Sequence, residues 1–148
     1  MIRRLFHLYW RLVRGLTLGV RGVVIDHDGR VFLVKHSYVP GWHLPGGGVE
    51  PGETLHMALA RELREEGNIE LAAQPVLHGV FFNAGASRRD HVAVFIVRAF
   101  GQSAVPKPNH EIIAHGFYSL DDLPADTTDG TRSRIAEVLQ GAQISDCW

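Results

Sequence analysis

Apolar positions recur with two periods, and the switches between them divide the chain. Thr17 to Asp26, TLGVRGVVID, is rich in β-branched residues and reads as a strand. His27-Asp28-Gly29 follows, and Asp-Gly predicts a hairpin with RVFLVKH (Arg30 to His36) as the returning strand. Between Tyr38 and Gly52 the chain is punctuated by Pro40, Gly41, Pro45, Gly46, Gly47, Gly48, Pro51 and Gly52, which predicts a shaped loop whose backbone approaches something closely. The period then becomes helical. Leu55, Ala58, Leu59 and Leu63 form one apolar stripe, Thr54 is a fitting N-cap, and Glu53 places negative charge at the favourable end of the dipole. Gly67-Asn68 ends the helix, with Asn68 suited to a left-handed cap. Strands are predicted at Val76 to Phe82, at His91 to Phe100 (an apolar centre typical of a buried strand) and at Ile112 to Tyr118. A tight turn at Asp121 to Pro124 and a closing helix from Thr131 to Leu139 complete the pattern. With no repeat and no long linker, residues 17–148 read as one layered α/β domain with a mixed sheet.

The opening stretch, MIRRLFHLYWRLVRGL, stands apart. Leu5, Leu8, Tyr9 and Leu12 sit at helical spacing, while Arg3, Arg4, Arg11 and Arg14 carry charge with no acid among them. The arginines interrupt every apolar run well short of the ~18 residues a membrane span needs. No continuous apolar stretch and no small-residue cleavage site marks a secretory signal. Residues 1–16 are therefore expected to form a basic amphipathic helix packed on the domain or on a second subunit, which leaves a homodimer open. A helix lying on an anionic membrane surface is the lesser alternative.

Composition changes this picture little. A chain of 148 residues with 45% hydrophobic and 21% charged positions suits one globular domain. A net charge of -1 predicts no long-range attraction to nucleic acid. The single cysteine, Cys147, excludes a disulfide framework or a zinc-cysteine site within one chain and fits a reducing, cytoplasmic setting. The nine histidines are scattered, and none forms an i, i+4 pair on a helix, which argues against a histidine metal site.

The stretch RELREEGN, residues 61–68, carries the candidate chemistry. On a helix each residue advances about 100°, so Glu65 and Glu66 flank Glu62 by about 60° and 40°, inside one ~100° wedge. Alternating charge usually means a solvated face. Three like charges on one wedge repel, however, and Arg61 and Arg64 relieve only part of that. Carboxylates beside Gly46-Gly47-Gly48, whose backbone carbonyls no side chain shields, suit a hard divalent cation such as Mg²⁺ that also takes substrate phosphates.

Gly47 to Ile69 resembles the Nudix box, G-x5-E-x7-R-E-U-x-E-E-x-G-U with U a bulky aliphatic. Every fixed position matches except the final glycine, which is Asn68. Trp42-His43-Leu44-Pro45-Gly46-Gly47 is similar to the family's W-x-L-P-G-G lead-in, Glu50 to Thr54 to its helix entry, and Glu111 to Pro124 to its last strand and turn. The likeness spans roughly residues 17–124. It implies an α/β/α sandwich with the box loop and helix on one face of a central mixed sheet and a C-terminal helix. It implies hydrolysis of a pyrophosphate linkage in a nucleoside derivative, with Mg²⁺ or Mn²⁺. Glu62, Glu65 and Glu66 are then the metal carboxylates, joined by the carbonyl of Gly46, and Arg61 and Glu53 brace the loop against the helix. The family takes its general base from a box glutamate (Glu65 or Glu66 here) or a later carboxylate, for which Glu111 is the first candidate and Asp90 the second. Arg88, with Arg89, is a candidate for substrate phosphate. Tyr38, Phe81, Phe82 and Phe117 are candidates for stacking on a base, though each also suits a core. Expected substrates are nucleoside di- or triphosphate derivatives, with ADP-ribose or another nucleoside diphosphate sugar as the alternative. A non-catalytic nucleotide-binding regulator is disfavoured because all three glutamates are present.

Overall fold

The computed structural model describes residues 2–148; Met1, the first residue of the expected opening helix, lies outside them. The elements run α1 (Ile2–Val13), β1 (Thr17–Val24), β2 (Val31–His36), β3 (Trp42–His43), β4 (Gly46–Gly48), α2 (Leu55–Gly67), β5 (Ile69–Leu71), β6 (Val76–Phe82), β7 (Asp90–Val97), β8 (Phe100–Gln102), β9 (Ile112–Tyr118), a 3-10 turn (Leu120–Asp122) and α3 (Asp129–Gln140). A mixed four-stranded sheet has the order β4-β1-β7-β6, with β1 parallel to β7 from Thr17↔Asp90 to Val24↔Val97. An antiparallel sheet, β3-β2-β9, and a two-stranded pair, β5-β8, complete it.

Side chains alternate across a strand, and here both faces are apolar. Val20 and Val24 of β1, Phe32 and Val34 of β2, and Ala93, Phe95 and Val97 of β7 pack with Ala58, Leu59 and Leu63 of α2. Their neighbours Val23, Ile25, Val31, Leu33, Val92 and Val94 pack instead with Trp42, Leu44, Phe81 and Ile135 of α3. The strands therefore lie between two helical layers, the α/β/α sandwich expected.

Several elements differ from the periodicity. Asp28-Gly29 does turn the chain, with Gly29 at φ 75° and Gly29 N–H donating to Asp26 O over 3.0 Å. Yet β1 and β2 then diverge into different sheets, touching through one bridge, Ile25↔Val31. The parallel ladder to β7 outcompetes the hairpin. The predicted strand His91 to Phe100 breaks at Arg98-Ala99 into β7 and β8, and β8 pairs with the unpredicted β5. The loop from Tyr38 to Gly52 contains the two short strands β3 and β4. The expected turn at Asp121 to Pro124 overlaps the 3-10 turn.

The helix ends behave as predicted. Met57 N–H donates to Thr54 Oγ1 at 3.1 Å, and Asn68 is left-handed at φ 51°, ψ 37°. The Asn68 amide donates to Ala104 O at 2.9 Å, a bond the family's glycine does not make.

Of the two packings expected for the opening helix, the structure does not show the one on its own domain. Every described side chain from Arg3 to Arg14 is exposed. The opposite terminus is tied down. Arg134, buried on α3, pairs with Glu137 at 2.6 and 2.9 Å, lies over the Phe81 ring and donates to Cys147 O at 2.9 Å.

Candidate active site

Two local constraints build the loop beside the last turns of α2. Gly46 sits at φ 145°, and a Cβ there would collide with the carbonyl of Val20. At Gly47 a Cβ would collide with the Glu62 carboxylate. Glycine at both positions lets β4 pair with β1, Gly46↔Arg21 and Gly47↔Val20, while lying flat against α2.

Arg61 clamps this junction. Its Nε and Nη2 donate to Glu53 at 2.8 and 3.0 Å, a two-pronged contact, and Nη2 reaches Gly48 O at 3.1 Å. Its Nη1 donates to Glu62 at 2.6 Å and lies 3.6 Å from Glu65. Hydrogen bonds from Arg61 and the Glu50 backbone hold the Glu53 carboxyl well below the usual range, and those same carboxylates hold the Arg61 guanidinium charged. The expected loop-bracing pair is thus in contact.

Glu62, Glu65 and Glu66 occupy three environments. Glu65 is exposed and Glu62 mostly covered, held through Arg61. Glu66 is buried and accepts from Gly46 N–H at 2.7 Å. Burial pushes its carboxyl up to about 8, with Glu62 and Glu111 adding in the same direction and Arg21 and the Gly46 N–H opposing. Among the described residues no three His, Cys, Asp or Glu side chains are gathered into a metal-holding group. Glu62 and Glu66 instead meet nitrogen donors, Arg61 Nη1 and Gly46 N–H, while Glu65 stays exposed on the same helix. The set still fits a hard cation. Glu66 is a buried carboxylate with one short hydrogen bond against a capacity of about four, and Glu62, Glu65 and the Gly46 carbonyl offer further oxygen ligands beside it.

Two contributors escaped the sequence reading. Arg21, on β1, donates to Leu44 O at 2.8 Å and Gly46 O at 3.0 Å, fixing the loop from below and placing positive charge near Glu66. An arginine between the valines of a buried strand was the available signal. His36 is buried, and its Nε2 stands 3.4 Å from Glu66 Oε1. This is no ion pair: burial, helped by Arg21 and His43, holds the imidazole down to about 4. His36 lies where the β2–β9 register shifts, at Lys35/His36. Its Nδ1 is buried without a partner.

The remaining candidates divide. Glu111 is exposed; its backbone carbonyl accepts from Ser37 N–H at 2.9 Å, and its charge adds to the upward pKa shifts of Glu66 and Tyr38. Tyr38 is exposed beside His36, with ring centroids 5.1 Å apart. Asp90 is committed elsewhere, accepting from Thr17 at 2.6 Å and Asn83 at 2.8 Å. Phe81 is 0% exposed beneath Arg134 on the α3 side and presents no face to a ligand. Phe82 packs on His91 and Phe117 on Phe100. Arg88 is exposed on the turn before β7, and Arg89 donates to Gly15 O at 3.2 Å. A recess beside Gly47 and Gly48 is lined by Thr17, Arg21, Asn83 and Asp90.

Comparison with known proteins agrees with this geometry. A family profile described as the NUDIX domain matches residues 15–139. A MutT-like protein of Streptomyces ambofaciens is 27% identical over 126 residues, covering 85% of this chain and 79% of the relative. An ADP-ribose pyrophosphatase of Methanocaldococcus jannaschii is 32% identical over 120 residues, 78% of this chain and 69% of its own. The crystal structure of a MutT NUDIX hydrolase from Burkholderia pseudomallei superposes with a TM-score of 0.70 at 32% identity, covering 82% of this chain and 97% of that one.

Proposed function

Since this chain belongs to the Nudix family and is a hydrolase of nucleotide pyrophosphates, we propose that it cleaves the pyrophosphate bond of a nucleoside di- or triphosphate derivative with Mg²⁺. The observation that carries this reading is the buried, under-bonded Glu66 beside the Gly46-Gly47 backbone, on the same helix face as Glu62 and Glu65. Glu62, Glu65, Glu66 and the Gly46 carbonyl would hold the cation. Bound Mg²⁺ would neutralise phosphate charge and lower the pKa of a bound water. Glu111 takes the proton as water attacks phosphorus. The anhydride P–O bond breaks, and its electron pair leaves with the departing phosphate. Arg61 holds Glu62 and the loop in register, and Arg21 holds the Gly46 carbonyl in place. The recess beside Gly47 and Gly48, lined by Thr17, Arg21, Asn83 and Asp90, would take the nucleoside end of the substrate; the exposed Tyr38 and Arg88 remain candidates for stacking and for phosphate.

Two substrate classes compete. The Methanocaldococcus relative named as an ADP-ribose pyrophosphatase supports nucleoside diphosphate sugars. The test is a nucleotide panel with Mg²⁺ or Mn²⁺, resolved by product. A triphosphate substrate yields monophosphate and pyrophosphate; ADP-ribose yields AMP and ribose 5-phosphate. Turnover that survives complete removal of divalent ions by EDTA would overturn the proposal.

A further inference from the structure

Helix α1 is the largest feature that the hydrolase reading leaves unused, and the family match begins only after it, at residue 15. At about 100° per residue, Arg3, Arg14, His7, Arg11 and Arg4 fall within one arc of about 100°. Leu8, Leu12, Leu5, Tyr9, Val13 and Phe6 fill an opposing arc of about 160°, with Trp10 on the border between them. None of this apolar face is covered: Leu12 is 70% exposed, Leu5 61% and Phe6 57%. The first acidic residue of the chain is Asp26, so nothing on α1 neutralises its arginines.

We propose that α1 is a surface anchor that lies flat on an anionic lipid bilayer, with its apolar arc among the acyl chains and its arginines at the headgroup phosphates. Three observations select this occupant. The helix has 12 residues, about 18 Å, too short to cross the ~30 Å hydrocarbon core, and no helix among the described residues is long and apolar enough to do so. The wide apolar arc, cationic opposite face and aromatic border match an in-plane helix, whereas a helix pair uses a narrower seam. A second copy of α1 would bring a second set of arginines with no acid to meet them, whereas anionic headgroups supply the complementary charge. Arg14 stacks on Trp10 at 3.9 Å from the ring centroid, joining the last cation to the border aromatic. Beyond α1, β1 starts at Thr17 and pairs through Gly19 to Arg21 with the Gly46–Gly48 strand. The anchor is thus a few residues from the catalytic loop.

The proposal is independent of the substrate assignment and is tested on the full chain by vesicle co-sedimentation. Vesicles of phosphatidylcholine alone are compared with vesicles carrying phosphatidylglycerol. The expected result is binding to the anionic vesicles that weakens as salt rises, at least tenfold above binding to neutral ones. Each arginine changed to glutamine should reduce partitioning roughly fivefold. The double substitution Leu5→Glu and Leu12→Glu should abolish binding while leaving hydrolysis of a soluble nucleotide unchanged. Equal binding to both vesicle types, no binding to either, or unchanged binding with all four arginines replaced overturns the proposal. So does a dimer seen by analytical ultracentrifugation that Leu12→Glu dissociates while vesicles bind nothing; the apolar arc would then belong to a second copy.

Discussion

Glu66→Gln in the metal-free protein tests the electrostatics of the site without any assumption about substrate. Burial raises the Glu66 carboxyl from 4.5 to about 8, so the folded state holds that proton more tightly than the unfolded chain does. The stabilisation from the bound proton is fully present below pH 4.5 and is lost as pH rises through 8. At 1.36 kcal/mol per pKa unit, the accumulated loss is roughly 1 kcal/mol at pH 5.5, about 3 at pH 7 and nearly 5 at pH 9. Glutamine keeps the shape, accepts from Gly46 N–H through its carbonyl oxygen, and directs its amide toward His36. It does not ionise. The variant should therefore match wild type near pH 5 and exceed it by several kcal/mol at pH 9, measured by urea unfolding in EDTA with the slope m checked for constancy. Added Mg²⁺ should raise wild-type stability and leave the variant unmoved. Hydrolysis should fall by more than about a hundredfold, since disturbing even an outer-shell partner of a metal costs about 10- to 100-fold. Parallel unfolding curves from pH 5 to 9 would refute the argument, because Glu66 would then carry its charge without penalty.

Glu65→Gln should abolish Mg²⁺-dependent turnover while shifting urea stability by less than about 0.5 kcal/mol, because its side chain is mostly exposed; unchanged turnover would remove it from the metal set. Glu111→Gln should lower kcat by about 10²- to 10⁴-fold with Mg²⁺ affinity retained; a matching loss of metal affinity would make Glu111 a ligand instead. Arg21→Met removes two charged hydrogen bonds to the loop. It should cost roughly 2–4 kcal/mol of stability and move the onset of metal binding to higher pH, as calorimetric titration across pH would show.

What was legible in the sequence follows from the range of the forces involved. The α2 boundaries were readable because caps act over three or four residues: Thr54 meets Met57 N–H, and Asn68 takes the left-handed conformation. The Glu53–Arg61 clamp was expected from the resemblance to the Nudix box, not from spacing or periodicity, and the two side chains do meet. Pairings set by distant parts of the chain were not readable. The 73-residue separation of Thr17 from Asp90 hides the parallel ladder that draws β1 away from β2. Phe81 carries the same local signature as an exposed stacking ring, and only the docking of α3 and Arg134 buries it. His36 approaches Glu66 at a register irregularity, a feature without a local signature.

The site also explains why its supports are cationic and lie on separate elements. Three carboxylates on one helix face, one of them buried, oppose folding before any cation arrives. Arg61 acts on the exposed side, binding Glu53 and Glu62 and approaching Glu65, while Arg21 acts from the sheet beneath, with its charge near Glu66 and its hydrogen bonds on the loop carbonyls. Neither arginine forms a hydrogen bond with Glu66, so the cost of charging that buried carboxylate is reduced and not removed. A direct arginine partner would stabilise the metal-free protein, yet it would occupy the oxygens a cation needs. The packing of Leu59 and Leu63 under the sheet holds α2 in place against this repulsion. That leaves Glu66 as the group whose ionisation is most strongly coupled to the arrival of positive charge. Metal affinity should therefore fall steeply below pH 8, even though carboxylates in water are ionised far below that pH.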